Sequence, residues 1–356
     1  MALMIFIGYF SNISNKRKNM KISILCVSVL FFSLASGCSH KKTDSNYEFP
    51  VLVGPYLGQE PPGMSPKIFA PGIVSRGFSE RIAAFTPDGK ELFYIVWGAP
   101  HGVILNTREE NGRWTKPEVA PFSGQYQGDF TMSADGNRIV FSSNSPFSGE
   151  GKPQDDYYSW IVERTMSGWG KPKPFNRLIN LPESFAGYPT IANNGNLYFF
   201  SDRPGCLGCE DIWMSRFVEG EYQEPQNLGD SINTEDFDLD PFIAPDESYI
   251  IFIRIDKQRK SDSDLFISFR RSDGSWMKAI NMGDKINSEN WEACPIVSPD
   301  GKYFFFTSNR RTHNSYSNSP ISLERKIEIL TNPGNGNDDI YWIDANIIEL
   351  LKPDKL

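Results

Sequence analysis

The sequence predicts an all-β fold, a β-propeller of five four-stranded blades, and three observations carry that prediction. A strand–turn–strand motif occurs five times, at 82–94 (IAAFTPDGKELFY), 129–141 (DFTMSADGNRIVF), 188–200 (YPTIANNGNLYFF), 240–252 (DPFIAPDESYIIF) and 294–306 (CPIVSPDGKYFFF). The turns begin at Pro87, Ala134, Asn193, Pro245 and Pro299, in steps of 47, 59, 52 and 54 residues, a period that belongs to radial repeats. Each copy is followed by a third extended run, and the first four also by a segment opening on an aromatic residue, which makes four strands per unit.

Taken in chain order, the first segment is an export signal. Lys16, Arg17, Lys18 and Lys21 precede an apolar run at 22–34, too short to span a bilayer as a helix, and small residues follow before Cys38. Ala35-Ser36-Gly37-Cys38 is similar to the bacterial lipobox, which implies a signal peptide over 1–37 and lipidation of Cys38 as the mature N-terminus. Alanine at the first of these positions departs from the preferred leucine, and a soluble periplasmic protein is the alternative. Translation from Met20 instead of Met1 would leave a more ordinary signal. Residues 39–63 read as a polar tether and leader to a single propeller domain over 64–350.

Residues 66–75 are expected to close the ring. The segment 64–75 has the same length as 169–180 and 276–287, and Ser75 precedes its turn by 12 residues, as Asn233 and Asn287 do. The fifth unit lacks a fourth strand of its own, so this leader is predicted to complete the last blade and remove an exposed sheet edge. Within each unit, Pro-Asp-Gly suits a type I turn with a left-handed third position; Asp246-Glu247-Ser248 has no glycine there, so a looser turn is expected. The runs after the turns (for example Phe304-Phe305-Phe306) are apolar throughout, as strands buried on both faces are. Third strands are expected at 103–105, 158–162, 211–214, 264–267 and 339–343. Fourth strands are expected to open at Trp114, Trp169, Tyr222 and Trp276, with Pro117, Pro172 and Pro225 suiting an outer edge. Beyond these, only 346–351 reads as a short helix.

The PDGK-aromatic turn, the Asp211-Ile212-Trp213 and Asp339-Ile340-Tyr341 strands, and Ser201-Asp202-Arg203 or Thr307-Ser308-Asn309-Arg310 after the second strand resemble TolB-type, WD40-like propeller repeats. The resemblance covers nearly the whole mature chain, with five units rather than six and without a separate N-terminal domain. It implies a binding scaffold of the bacterial cell envelope, lipid-anchored and facing the periplasm or the surface.

Composition narrows the partners. The chain carries a net charge of −8, and removing 1–37 takes away four basic groups and no acidic one, leaving −12. Such a surface disfavours nucleic acid and anionic headgroups and permits an envelope protein, a basic peptide, a neutral glycan or a cation; a monomer is expected. Cys206 and Cys209 form a C-x-x-C loop, for which an oxidising envelope predicts a disulfide. No G-x-S-x-G elbow occurs, and the three histidines are dispersed.

The candidate chemistry is acidic. Glu80, Asp238 and Glu292 each lie seven residues before their turns, and Asp129 and Asp240 lie five before. Equivalent positions in a ring face one another, so these carboxylates would crowd one channel mouth. There they would bind a ligand or Ca²⁺, or, at Glu80, Asp238 and Glu292, act as glycosidase acid and base. The alternative is that they are solvated strand-entry residues. A non-catalytic binding propeller is therefore the leading expectation, and a carbohydrate-active enzyme the second.

Overall fold

Five antiparallel sheets follow one another around a ring, each starting at the axis and running outward. The structure, a computed structural model, describes residues 49–98, 101–124, 127–148, 150–256, 263–312 and 321–353, so the signal, Cys38 and most of the tether lie outside it. Contacts divide the chain after Pro50, and Val51–Leu356 is the unit that holds the sheets. The inner strands are Glu80–Phe85, Gln127–Met132, Gly187–Ile191, Phe237–Ile243 and Glu292–Val297. The second strands are Glu91–Val96, Arg138–Ser143, Leu197–Ser201, Tyr249–Ile255 and Tyr303–Ser308. The third are Val103–Glu110, Tyr158–Thr165, Asp211–Ser215, Asp264–Phe269 and Asp339–Asp344. Every residue of Glu80–Phe85, Gly187–Ile191 and Phe237–Ile243 is buried, because each blade covers both faces of its neighbour's inner strand.

The ring closes through the leader. Lys67–Ile68 pairs with Asp339–Asp344, Lys67 opposite Trp342 and Ile68 opposite Tyr341. One backbone bond recurs in all five blades, from the outer strand to the third. Ala120 donates to Ile104 (2.9 Å), Phe175 to Ser159 (3.1 Å), Leu228 to Ile212 (3.2 Å), Met282 to Leu265 (2.9 Å) and Phe69 to Ile340 (2.7 Å). The leader thus stands where the other blades have an outer strand.

Three details differ from the sequence reading. Trp114 and Trp169 do not open the outer strands; they belong to two-residue stubs that extend the third-strand hairpin. The outer strands proper are Glu118–Val119, Lys173–Pro174, Gln226–Asn227 and Ile280–Asn281, and prolines 117, 172 and 225 break the chain just ahead of the first three. The fourth turn is not looser. Glu247 takes the left-handed position (φ 61°), its N–H reaches Ala244 O at 2.8 Å, and its carboxylate accepts from Asn196, Tyr198 and Arg270. Those three bonds offset the strain of a non-glycine residue there. Finally, the long connection in blade five carries a helix, Leu323–Thr331, capped by Ser322, in addition to the expected Asn346–Leu351. The sequence hid it because none of its residues is buried.

The second-to-third loop of blade three holds Cys206 and Cys209. A disulfide is expected there, but the two cysteines are not bonded to each other, and Cys206 Sγ lies 3.1 Å from Ser201 O and 3.2 Å from Arg203 O. Burial pushes the Cys206 thiol up to about 12, so it stays protonated and donates to those carbonyls.

The closing seam is apolar. Phe69, fully buried, meets Trp342 at 5.1 Å and Phe305 at 5.3 Å between ring centroids, and Tyr56 packs edge-on to Tyr303 at 4.7 Å. Leu57, Ala70 and Val74 complete the plug. Replacing Phe69 by Ala is expected to cost about 3–5 kcal/mol, the usual range for emptying a buried aromatic site. Urea unfolding checks it, and a loss below about 1 kcal/mol would show the leader to be peripheral to the fold.

Candidate functional site

Each inner strand carries a bulge at one depth. The pairing register with the second strand shifts between Arg81 and Ala84, Gln127 and Phe130, Gly187 and Thr190, Leu239 and Phe242, and Ala293 and Ile296. The residues five before the turns, Ile82, Asp129, Tyr188, Asp240 and Cys294, sit in these bulges. Four of them have positive φ: Ile82 63°, Tyr188 41°, Asp240 49° and Cys294 52°. A bulge bends the strand and re-aims its side chain, here across the axis. Tyr188 of blade three reaches Pro295 O of blade five at 3.4 Å, and Cys294 Sγ lies 3.9 Å from Asp240 Oδ2 of blade four. Tyr188 therefore plugs the channel. Beyond it, toward the turns, lies a cavity of about 120 Å³ lined by Ala84, Thr131, Ile191, Phe242 and Ile296 among others.

On the strand-entry side of that plug the channel is polar and charged. Arg81 Nη2 pairs with Asp338 at 2.6 Å, Arg81 Nη1 approaches Asp129 at 3.7 Å, and the guanidinium lies over the Trp97 ring at 5.2 Å. Asp338 also accepts from Ser79. Burial works against the Arg81 charge but is outweighed by Asp338 and Asp129, so the guanidinium is held ionised. Burial raises the Asp129 carboxyl against the pull of Arg81. Burial, then the neighbouring Asp129, raises Asp240 to about 7. Asp129 Oδ1 is buried with no hydrogen-bond partner. Asp129 thus raises Asp240, and one cation, Arg81, acts on both.

Of the five acids singled out by spacing, the structure brings these two together. It encloses Asp238 and Glu292 within their own blades. Both are fully buried; Asp238 pairs with Arg254 at 2.7 Å and accepts from Thr234, while Glu292 pairs with Arg310 at 2.9 Å and accepts from Ser288 and Ser308. Burial raises the Asp238 carboxyl to about 6 despite Arg254. Glu80 occupies the same strand position, fully buried, without an arginine from its second strand. All three are wall residues, and Asp238 and Glu292 tie strand to loop.

Sequence reasoning missed Arg81, Asp338 and Glu210. Glu210 is buried at the head of the third strand of blade three, and burial, followed by Asp202 and Asp240, pushes it to about 8. Asp338 and Glu210 both precede a D-I-aromatic third strand, a signal that was present in the sequence. Among the described residues no group of three or more His, Cys, Asp or Glu side chains is placed to hold a metal ion, and the expectation of Ca²⁺ rests on the sequence alone. Among the described residues, too, no helix is long and apolar enough to cross a membrane.

No protein-family model matches the sequence, and no curated protein matches it significantly. Among solved structures, similar chains include a putative TolB from Agrobacterium tumefaciens, 18% identical over 74% of this chain and 90% of that one, with TM-score 0.43. TolB from Acinetobacter baumannii is 14% identical over 75% of this chain and 57% of that longer one, with TM-score 0.43. An α-L-arabinofuranosidase from Lactobacillus brevis is 12% identical over 75% and 90%, with TM-score 0.48.

Wall and channel acids should respond oppositely to neutralisation. Glu292→Ala leaves Arg310 buried without its carboxylate and is expected to cost about 3–5 kcal/mol. Asp129→Asn relieves a buried charge with an unpaired oxygen and is expected to be neutral or stabilising by up to about 1 kcal/mol. Paired denaturation curves decide it; a large loss in Asp129→Asn would make that residue part of the wall as well.

Proposed function

We propose that the protein is a non-catalytic binding propeller of the bacterial cell envelope, taking its ligand at the strand-entry mouth of the channel. The observation that carries this reading is the group Arg81, Asp129, Asp240 and Asp338. It places a carboxylate with a buried, unpartnered oxygen beside an ion pair, on bulges that have left-handed backbone at Asp240. Strained backbone and a carboxyl held near pH 7 cost stability and serve no packing purpose, which favours a functional role. The ligand is an envelope protein, a basic peptide or a glycan. A cationic or hydroxyl-bearing group can donate to Asp129 and Asp240, and the acidic mature chain, −12 without residues 1–37, attracts positive charge. In this reading the export signal is removed and a lipid on Cys38 anchors the chain, with 39–63 as the tether to a single domain over 64–350.

A second reading has its own support. Two neighbouring carboxyls raised by burial can act as acid and base or nucleophile on a glycosidic bond, and here the pair is Asp129 and Asp240 rather than the wall residues Glu80, Asp238 and Glu292.

Thermal shift of the mature chain against basic peptides, neutral oligosaccharides and Ca²⁺ tests both. A ligand at 100 times its Kd stabilises by about 2.7 kcal/mol. The binding reading expects a shift that disappears in Asp129→Asn and Asp240→Asn, with no turnover of aryl glycosides. Turnover abolished by the same substitutions would replace it with the enzyme. A shift that survives both substitutions would move the site elsewhere.

A further inference from the structure

Blades three and four share a polar clamp that the closing blade lacks. In blade three, Asn233 accepts from Ile212 N–H (2.8 Å) and donates to Ile212 O (2.9 Å), and its Nδ2 also reaches Asn227 Oδ1 (2.8 Å). Asn227 in turn donates to Asp211 at 2.6 Å. Blade four repeats the set with Asn287 on Leu265 and on Asn281, and Asn281 donates to Asp264 at 2.8 Å. An acid at the head of the third strand, an asparagine on the outer strand and an asparagine on the following loop are thereby joined. In blade five the equivalent positions are Asp339, Ile68 and Val74, whose N–H bonds Ala70 O as those of Asn233 and Asn287 bond Gly229 O and Gly283 O. Neither Ile68 nor Val74 has a polar group to offer. Asp339 Oδ1 and Ser75 Oγ are both buried without partners.

The next residue in the seam repeats the pattern. Asp238 and Glu292 enter their inner strands neutralised by Arg254 and Arg310, whereas Glu80 enters at the blade-five seam, its N–H bonded to Asp338 O at 2.9 Å, with both carboxyl oxygens buried and unpartnered. Two carboxyl groups with buried oxygens that accept no hydrogen bond are therefore enclosed where the ring is joined by an apolar plug.

We propose that the junction between blades five and one is a pH-sensitive latch, in which Glu80 and Asp339 hold the closing strand Lys67–Ile68 in place when protonated and loosen it when ionised.

Burial outweighs the groups that face them with opposite sign. Around Glu80 stand Arg76 on its own entry loop, Tyr94 on the second strand and Asp339 on blade five. Burial dominates and raises Glu80 to about 8, with the backbone of Arg76 and Phe78 and the Arg76 charge opposing. Around Asp339 stand Asp338 on its own strand and, across the Tyr341 ring, Arg310, which Glu292 already engages. Burial raises Asp339 to about 6, against the Gly334 N–H that it accepts at 2.6 Å. A carboxyl raised on closure favours the closed state fully below its ordinary value. That preference is lost as pH rises, ending near pH 6 for Asp339 and near pH 8 for Glu80.

Hydrogen exchange of the full-length chain between pH 6.0 and 8.5, read as protection factors to remove intrinsic base catalysis, tests the latch. The Phe69 and Glu80 amides report the seam, and the Met282 and Glu292 amides of blade four make the same two bonds with the clamp intact. The latch expects seam protection to fall at least tenfold across this range while the blade-four amides change less than threefold. Glu80→Gln should flatten the fall. Seam amides that track blade four across the range, or a slope unchanged in Glu80→Gln, would overturn it. The wild-type comparison decides the matter even where a variant fails to fold.

Discussion

The bulge in each inner strand is the constraint from which the rest follows. Five strands converging on one axis leave room for only a few side chains, and a regular strand would present every second residue there in a continuous stripe. An extra residue at one depth concentrates that crowding into a single ring of five positions, 82, 129, 188, 240 and 294, at the cost of left-handed backbone in four of them. An isoleucine at φ 63° is among the least tolerated cases, yet Ile82 is fully buried there. The surrounding blades over-determine the geometry, and the channel chemistry is built on it.

What occupies that ring separates two uses of acidity. Asp238 and Glu292 are enclosed by an arginine, a hydroxyl and a backbone N–H each, the arrangement that makes a buried carboxylate tolerable. Asp129 and Asp240 share a single arginine that is already committed to Asp338. The first pair contributes to folding; the second is left under-neutralised at the channel mouth. The more deeply buried pair is the one with a cation for each carboxylate, so the decisive quantity is the number of cations per carboxylate.

Repetition was readable in the sequence because the turn and the apolar runs depend on local chemistry that a one-dimensional pattern records. Offset was readable too: the 12-residue spacing shared by Ser75, Asn233 and Asn287 located the closing strand, which pairs at Lys67–Ile68. Which way a side chain faces was not. Positions seven before the turn looked like a ring, but Glu80, Asp238 and Glu292 turn into the protein, and a bulge two residues later reverses the alternation that spacing assumes. Arg81 and Asp338 escaped notice because their significance arises from contact across 257 residues of chain. The helix Leu323–Thr331 escaped because an element with no buried face has no core periodicity to betray it.

The same long separation explains why the closing blade differs from its neighbours. An outer strand in blades one to four follows its third strand through a short connection, so polar bonds of modest net worth suffice to hold it. The strand Lys67–Ile68 meets Tyr341 and Trp342 from the other end of the domain, and closing a loop of that length carries an entropic cost that grows with the logarithm of its length. Phe69, Leu57 and Tyr56 supply apolar burial in place of the asparagines, and burying an aromatic contributes more than exchanging one hydrogen bond for another. Apolar contacts are indifferent to direction and cannot satisfy the carboxyls beneath them. A ring closed by hydrophobic burial over unneutralised acids is held tightly in one protonation state and less tightly in the other, which couples the integrity of the fold to the acidity of its surroundings.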